Sequence, residues 1–149
     1  MNQKANFLRP QKQQTTAFNT LSMTQRATFA DSPQTYQATL RSLFTGDPQD
    51  TETDLSKIFS PTFHFTAAAE KYDFAGFVEH IRRLREMKLS VDLTTVEFLR
   101  DGDLLAERHV STTILQSGKR MSSETFMFAG IAEDGRIDWI KEAVQSIEG

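Results

Sequence analysis

Cysteine is absent from this chain of 149 residues. Its absence excludes disulfide bonds, a thiolate nucleophile and cysteine-ligated zinc, and it fits the reducing cytoplasm. Long apolar runs are missing too: nothing approaches the ~18 residues of a membrane span, and no signal-peptide core is visible. The three histidines, His64, His80 and His109, show no metal-ligand spacing. No Gly-x-Ser-x-Gly elbow marks a serine nucleophile, and no glycine-rich loop is present to cradle a phosphate. Neither a metal nor an organic cofactor is expected. Positive charge is scarce outside the N-terminus. Lys4, Arg9, Lys12 and Arg26 against Asp31 give residues 1–32 a charge of +3, so with a net charge of −3 the remainder carries −6. An acidic body of this kind lacks the electrostatic footprint of a nucleic-acid binder.

What is present is one domain's worth of chain behind a polar leader. Residues 1–31 are rich in Gln, Thr, Asn and Ser, a composition that predicts a disordered basic tail, with an organelle transit peptide as the alternative. The domain is expected over residues 32–149. Ser32-Pro33 predicts a helix start and Gly46 its stop, with Tyr36, Leu40, Leu43 and Phe44 on one face. A short helix follows over Thr51 to Phe59, then a short strand over Thr62 to Thr66 and a loop over Ala67 to Tyr72. Asp73 caps a longer helix reaching Lys88, with Phe74, Phe77, Val78, Ile81 and Leu84 in one stripe.

From Lys88 onward the chain reads as four long extended runs separated by Asp101-Gly102, Ser117-Gly118 and Asp134-Gly135, where glycine supplies the positive φ of hairpin turns. If each turn is a two-residue hairpin, counting outward fixes the register. One row is then Thr95, Arg108, Met127 and Glu142, and the next is Leu93, Val110, Thr125 and Val144. With Ile140 these make the apolar, inward face. The other face carries His109, Phe126, Phe128 and Trp139, an aromatic surface that predicts a homodimer. One β-bulge would exchange the faces beyond it.

The order of elements, together with Asp101-Gly102-Asp103-Leu104-Leu105-Ala106, Arg108, Asp134-Gly135-Arg136-Ile137 and Lys141-Glu142, resembles SnoaL-like domains. These are the polyketide-cyclase relatives of ketosteroid isomerase within the nuclear transport factor two superfamily. The resemblance covers about Ser32 to Gln145. It implies an α+β cone, with N-terminal helices packed on a strongly curved antiparallel four-strand meander plus a short extra strand. It further implies a conical small-molecule pocket and a dimer through the outer sheet face. Ketosteroid isomerases carry a catalytic acid on the third meander strand where this chain has Met127, so that oxyanion hole is not expected here in the same form.

The candidate catalytic residues are Glu142, Arg108, His64 and Tyr36. Glu142 is the candidate base, with Arg108 stabilising an enolate, and a structural ion pair is the competing reading. His64 is a second candidate base at the rim, and Tyr36 a hydrogen-bond donor to a ligand carbonyl. Leu93, Thr95, Val110, Thr125, Met127 and Ile140 are expected to line the pocket. His109, Phe126, Phe128 and Trp139 are expected on the dimer face. The expected function is cofactor-independent isomerisation, cyclisation or dehydration of an apolar cyclic substrate by proton transfer. A noncatalytic binder of a hydrophobic ligand and a docking module are the alternatives.

Overall fold

The computed structural model describes residues 25–147. Three helices, α1 (Pro33–Ser42), α2 (Thr51–Ser56) and α3 (Phe74–Glu86), pack on one six-stranded sheet. Its strands are β1 (Phe59–Ala67), β2 (Glu70–Asp73), β3 (Ser90–Asp101), β4 (Leu104–Ile114), β5 (Arg120–Ile131) and β6 (Ile137–Ile147). The spatial order is β2-β1-β6-β5-β4-β3. β1 runs parallel to β6 and all other neighbours are antiparallel.

Local chemistry sets the helix starts. The Ser32 hydroxyl accepts from the Thr35 amide with Pro33 just inside, and the Asp73 carboxylate accepts from the Gly76 amide. The buried stripe of α3, Phe77, Val78 and Ile81, meets Phe59, Phe63 and Phe65 of β1. Arg85 is buried at the end of α3 and donates to Leu43 O at 2.9 Å, Asp47 O at 3.2 Å and Asp54 Oδ2 at 2.8 Å. It thereby satisfies carbonyls beyond α1 and ties α3 to the connection between α1 and α2.

The leader expected over residues 1–31 lies, up to residue 24, outside the described residues. Its described end is seated on the domain: Ala27 N donates to Asp134 O at 2.7 Å, and Ala30 is buried. Ala27 O lies where a side chain on Gly135 would stand, and Gly135 has φ +83°. The segment expected to be a loop before α3 instead contains β2. It hydrogen-bonds to the edge that β1 offers, and this raises the extra strands from one to two.

The inward and outward faces differ from the simple hairpin count along β4. Between β4 and β5 the loop is Gln116-Ser117-Gly118, closed by Leu115 N to Lys119 O at 2.9 Å, so it holds three residues rather than two. Three-residue hairpins use a glycine with positive φ at their last position, and Gly118 has φ +85°. The added residue shifts the register by one and rotates β4. Glu107 and His109 therefore face inward, while Arg108 and Val110 face outward, reversing the expected sides of Arg108, Val110 and His109. A bulge at Val96 then puts Thr95 opposite His109 and Glu97 opposite Arg108. Between β5 and β6 a longer turn is undone by a bulge at Asp138, so Met127 stands opposite Glu142 as expected. Thr62 Oγ1 donates to Asp138 Oδ1 at 2.6 Å and Ser60 also bonds it, which fixes that bulge in place.

Candidate functional site

The curved sheet and the helices α1 and α3 enclose a cavity of about 340 Å³, within the usual range for small-ligand sites. Its helical wall is hydrocarbon apart from His80: Leu40, Leu43, Phe44, Phe77, Ile81 and Leu84. Its sheet wall mixes Leu93, Met127 and Ile140 with His109, Thr125 and Glu142. Met121 and Val144 also line it and are exposed, so the opening lies at their end of the strands. At the rim His80 stacks on Tyr72, with ring centroids 5.1 Å apart. Burial pushes the His80 imidazole below its ordinary value, which leaves it neutral at pH 7.

One inward row crosses the whole sheet: Phe98, Glu107, Met127, Glu142, Ala67 and Glu70. Glu107 and Glu142 thus flank Met127, two strands or about 9–10 Å apart at the usual spacing. The Glu107 side chain is wholly buried. Its Oε1 faces His109 Nδ1 at 2.8 Å and the Tyr36 hydroxyl at 3.3 Å. The same hydroxyl lies 3.1 Å from Met127 Sδ, a weaker acceptor than a carboxyl oxygen. Glu107 Oε2 is buried with no partner among the described residues. Because Nδ1 is committed to Glu107, the free nitrogen of His109 is Nε2, and His109 lines the cavity.

Glu142 lies on the cavity wall one row away from His109. Burial raises its carboxyl from an ordinary 4.5 to about 7; the His109 side chain opposes that rise, and Glu107 and Glu70 add to it. It is therefore about half protonated near neutrality. Tyr36 is raised well above its ordinary value by burial first and by Glu107 second, so it stays a neutral donor.

Of the sequence candidates, Glu142, Leu93, Thr125, Met127 and Ile140 come together around the cavity. Tyr36 is fully buried behind that wall and touches Glu107 rather than the space a ligand would fill. Thr95 faces inward, with its hydroxyl buried and unpaired among the described residues beside α1, and its amide donates to Gln37 Oε1 at 2.7 Å. His64 is not in the cavity. It is exposed on the outer face opposite Trp139, because Phe63 and Phe65 take the inward positions of β1. Arg108 is also outside, held by Glu97 at 2.5 Å and Glu124 at 2.5 Å, and both acids lift its guanidinium further above its ordinary value. Val110 pairs with Glu124 on that outer side, and His109 has left it for the cavity. Phe126 and Phe128 remain there, exposed, and the Trp139 indole lies over Gly130.

The count along the sequence misses Glu107 and His109 as site residues. The glycine at the third position of a three-residue loop is the signal that would have found them. No cluster of three potential metal ligands occurs among the described residues, and no described helix is long and apolar enough to cross a membrane.

No protein-family model matches the chain, and no curated protein matches it. Solved structures do. A putative isomerase of the SnoaL-like family from Agrobacterium tumefaciens superposes with a TM-score of 0.59 at 12% identity, covering 76% of this chain and 97% of that one. An NTF2-like protein of unknown function from Exiguobacterium gives 0.58 at 14% identity, covering 76% and 96%. An epoxide hydrolase from M. tuberculosis gives 0.54 at 10% identity, covering 73% and 81%. Likeness at such identities carries architecture and no activity, and the architecture it assigns to this chain is the α+β cone of NTF2-like, SnoaL-like domains.

Proposed function

We propose that this protein is a cofactor-independent enzyme that moves a proton on a small hydrophobic molecule, with Glu142 and His109 as the groups that touch it. One observation carries the reading. A carboxyl held near pH 7 by burial shares an apolar cavity with a histidine whose second nitrogen is oriented by a buried acid. Pairs of titratable groups set apart by their surroundings are the usual basis of acid–base catalysis.

A ketone is the simplest substrate for such a pair. The Glu142 carboxylate takes a proton from the carbon beside the carbonyl. The imidazolium of His109, with Nδ1 on Glu107, gives its Nε2 proton to the carbonyl oxygen, and the product is an enol. In a β,γ-unsaturated ketone, return of the Glu142 proton to the γ carbon isomerises the substrate. In a β-hydroxy ketone, loss of the hydroxyl with that proton as water dehydrates it. In both, the enol O–H gives its proton back to His109 Nε2. Glu107 holds the imidazole ring, and Tyr36 holds Glu107. Arg108 and His64 take no part. The exposed Phe126 and Phe128, with Trp139, would be covered by a second copy of the chain; a monomer in sedimentation equilibrium at micromolar concentration refutes that dimer.

The test is hydrogen–deuterium exchange at the carbon beside the carbonyl of α-tetralone in heavy water, followed by NMR. The wild type should accelerate exchange. Glu142→Gln and His109→Gln should each lower the rate by about 10²-fold or more, the scale of a positioned acid or base. A ligand that raises Tm without accelerated exchange would make the protein a binder of hydrophobic metabolites and not a catalyst.

A further inference from the structure

Two residues along β4 and β5 from the row of His109 and Thr125, the inward positions are Ser111 and Ser123, which stand directly opposite one another and line the cavity. Ser146 of β6 continues that row. Inward strand positions over a packed core call for branched or aromatic side chains, and serine there neither packs well nor favours a strand. The two hydroxyls bond each other at 3.0 Å. That bond uses one of their two protons and leaves the other, with several lone pairs, for something in the cavity. Thr125 points the same way independently: it is 4% exposed and lines the cavity, yet the hydrogen bonds among the described residues leave its hydroxyl free. The facing wall, from α1 and α3, is hydrocarbon apart from His80 at the rim.

We infer that the cavity selects an amphipathic, oxygen-bearing ligand whose second hydroxyl or carbonyl is bound by Ser111 and Ser123, about 7 Å from the reacting atom at His109. That distance is the rise of two strand residues. It suits oxygens on opposite edges of a fused bicyclic molecule, with the hydrocarbon face turned to the helices. The inference rests on the proton-transfer reading for which end of the ligand reacts, whereas the hydroxyl recognition stands on the wall itself.

Three probes test it by calorimetric titration of the full chain: α-tetralone, its phenol derivative with the hydroxyl on the edge remote from the ketone, and the isomer with the hydroxyl beside the ketone. The remote phenol should bind about tenfold tighter than the parent, as one net hydrogen bond gives, and the adjacent isomer should not. Ser111→Ala with Ser123→Ala should erase the preference, and far-ultraviolet circular dichroism matching the wild type shows that the variant is folded. Equal affinities, a preference that survives the double variant, or no binding by any of the three overturns the inference. Exchange beside the carbonyl, measured in parallel with Glu142→Gln, separates the two claims. A remote-hydroxyl preference without catalysed exchange keeps the recognition and removes the catalysis, and catalysed exchange without the preference does the reverse.

Discussion

Replacing Glu142 by glutamine should make the protein more stable at alkaline pH while leaving it nearly unchanged in mild acid. In the folded protein the Glu142 carboxyl is raised from 4.5 to about 7 by burial. Between those values the native state holds a proton that the unfolded chain has released. The stabilisation that Glu142 contributes is therefore complete below its unfolded pKa and is lost as pH rises through about 7. Above that pH the native state carries a buried anion. At ~1.36 kcal/mol per pH unit the elevation corresponds to about 3 kcal/mol, and water at the cavity mouth brings this nearer ~2 kcal/mol. A glutamine side chain has the same shape and no charge. Urea unfolding of both proteins, repeated from about pH 5 to about pH 8.5, should show curves that converge at the acid end. They should separate by about 2–3 kcal/mol at the alkaline end, or several degrees in Tm, with Glu142→Gln the more stable. A gap that does not change with pH, or a variant that is less stable at alkaline pH, would falsify the claim that this carboxylate is poorly solvated. It would also remove the reason for calling Glu142 a base poised at neutrality.

The other interactions give separate expectations. Arg85→Met should lower stability by about 3 kcal/mol, read by denaturant unfolding, because it leaves the carbonyls of Leu43 and Asp47 and the Asp54 carboxylate without their buried donor. Gly130→Ala drives a Cβ into Trp139 Nε1, far inside van der Waals contact; it should displace the only tryptophan, shift its fluorescence, and cost about 1–3 kcal/mol as an overpacked contact does. Arg108→Gln should leave Tm and exchange activity close to wild type, since the Glu97 and Glu124 ion pairs lie on the outer face; a large loss of activity would return Arg108 to the mechanism. Tyr36→Phe should retain the fold while lowering exchange through His109, a positioning effect that shows in the pH profile of the rate rather than in ligand affinity.

The sequence and the structure part company at β4, for a physical reason. Along that strand Ala106, Val110 and Ile114 alternate with Glu107, His109 and Ser111, so a rule that turns the more apolar set inward chooses the wrong face. The rule presumes a filled core, and a strand that contributes the polar groups of a cavity wall inverts it. The one-residue difference in the loop at Gly118 then decides every side chain on the strand. By contrast, Met127 opposite Glu142 is legible because the extra turn residue before β6 is offset by the bulge at Asp138. The caps at Ser32 and Asp73, the stripe of α3 and the four long strands follow from local chemistry alone. β2 does not. Glu-Lys-Tyr-Asp has no strand pattern of its own and becomes one only because β1 presents an unpaired edge.

The parallel pairing of β1 with β6 joins Phe59 to Ile137 and Ala67 to Glu142, segments at opposite ends of the domain. Everything between β3 and β6 closes through short hairpins, whose contacts form early and fast, whereas this seam must wait for the longest loop in the molecule to close. On a growing chain β1, β2 and α3 emerge long before the strand they lean on exists, so the edge of β1 that β6 will occupy stays open in the interval. The strand that delivers Glu142 is thus also the one that closes that edge. Its arrival completes the cavity wall and the hydrophobic core in one event, so a substitution that slows β6 docking should be read first in the yield of soluble protein and only then in turnover.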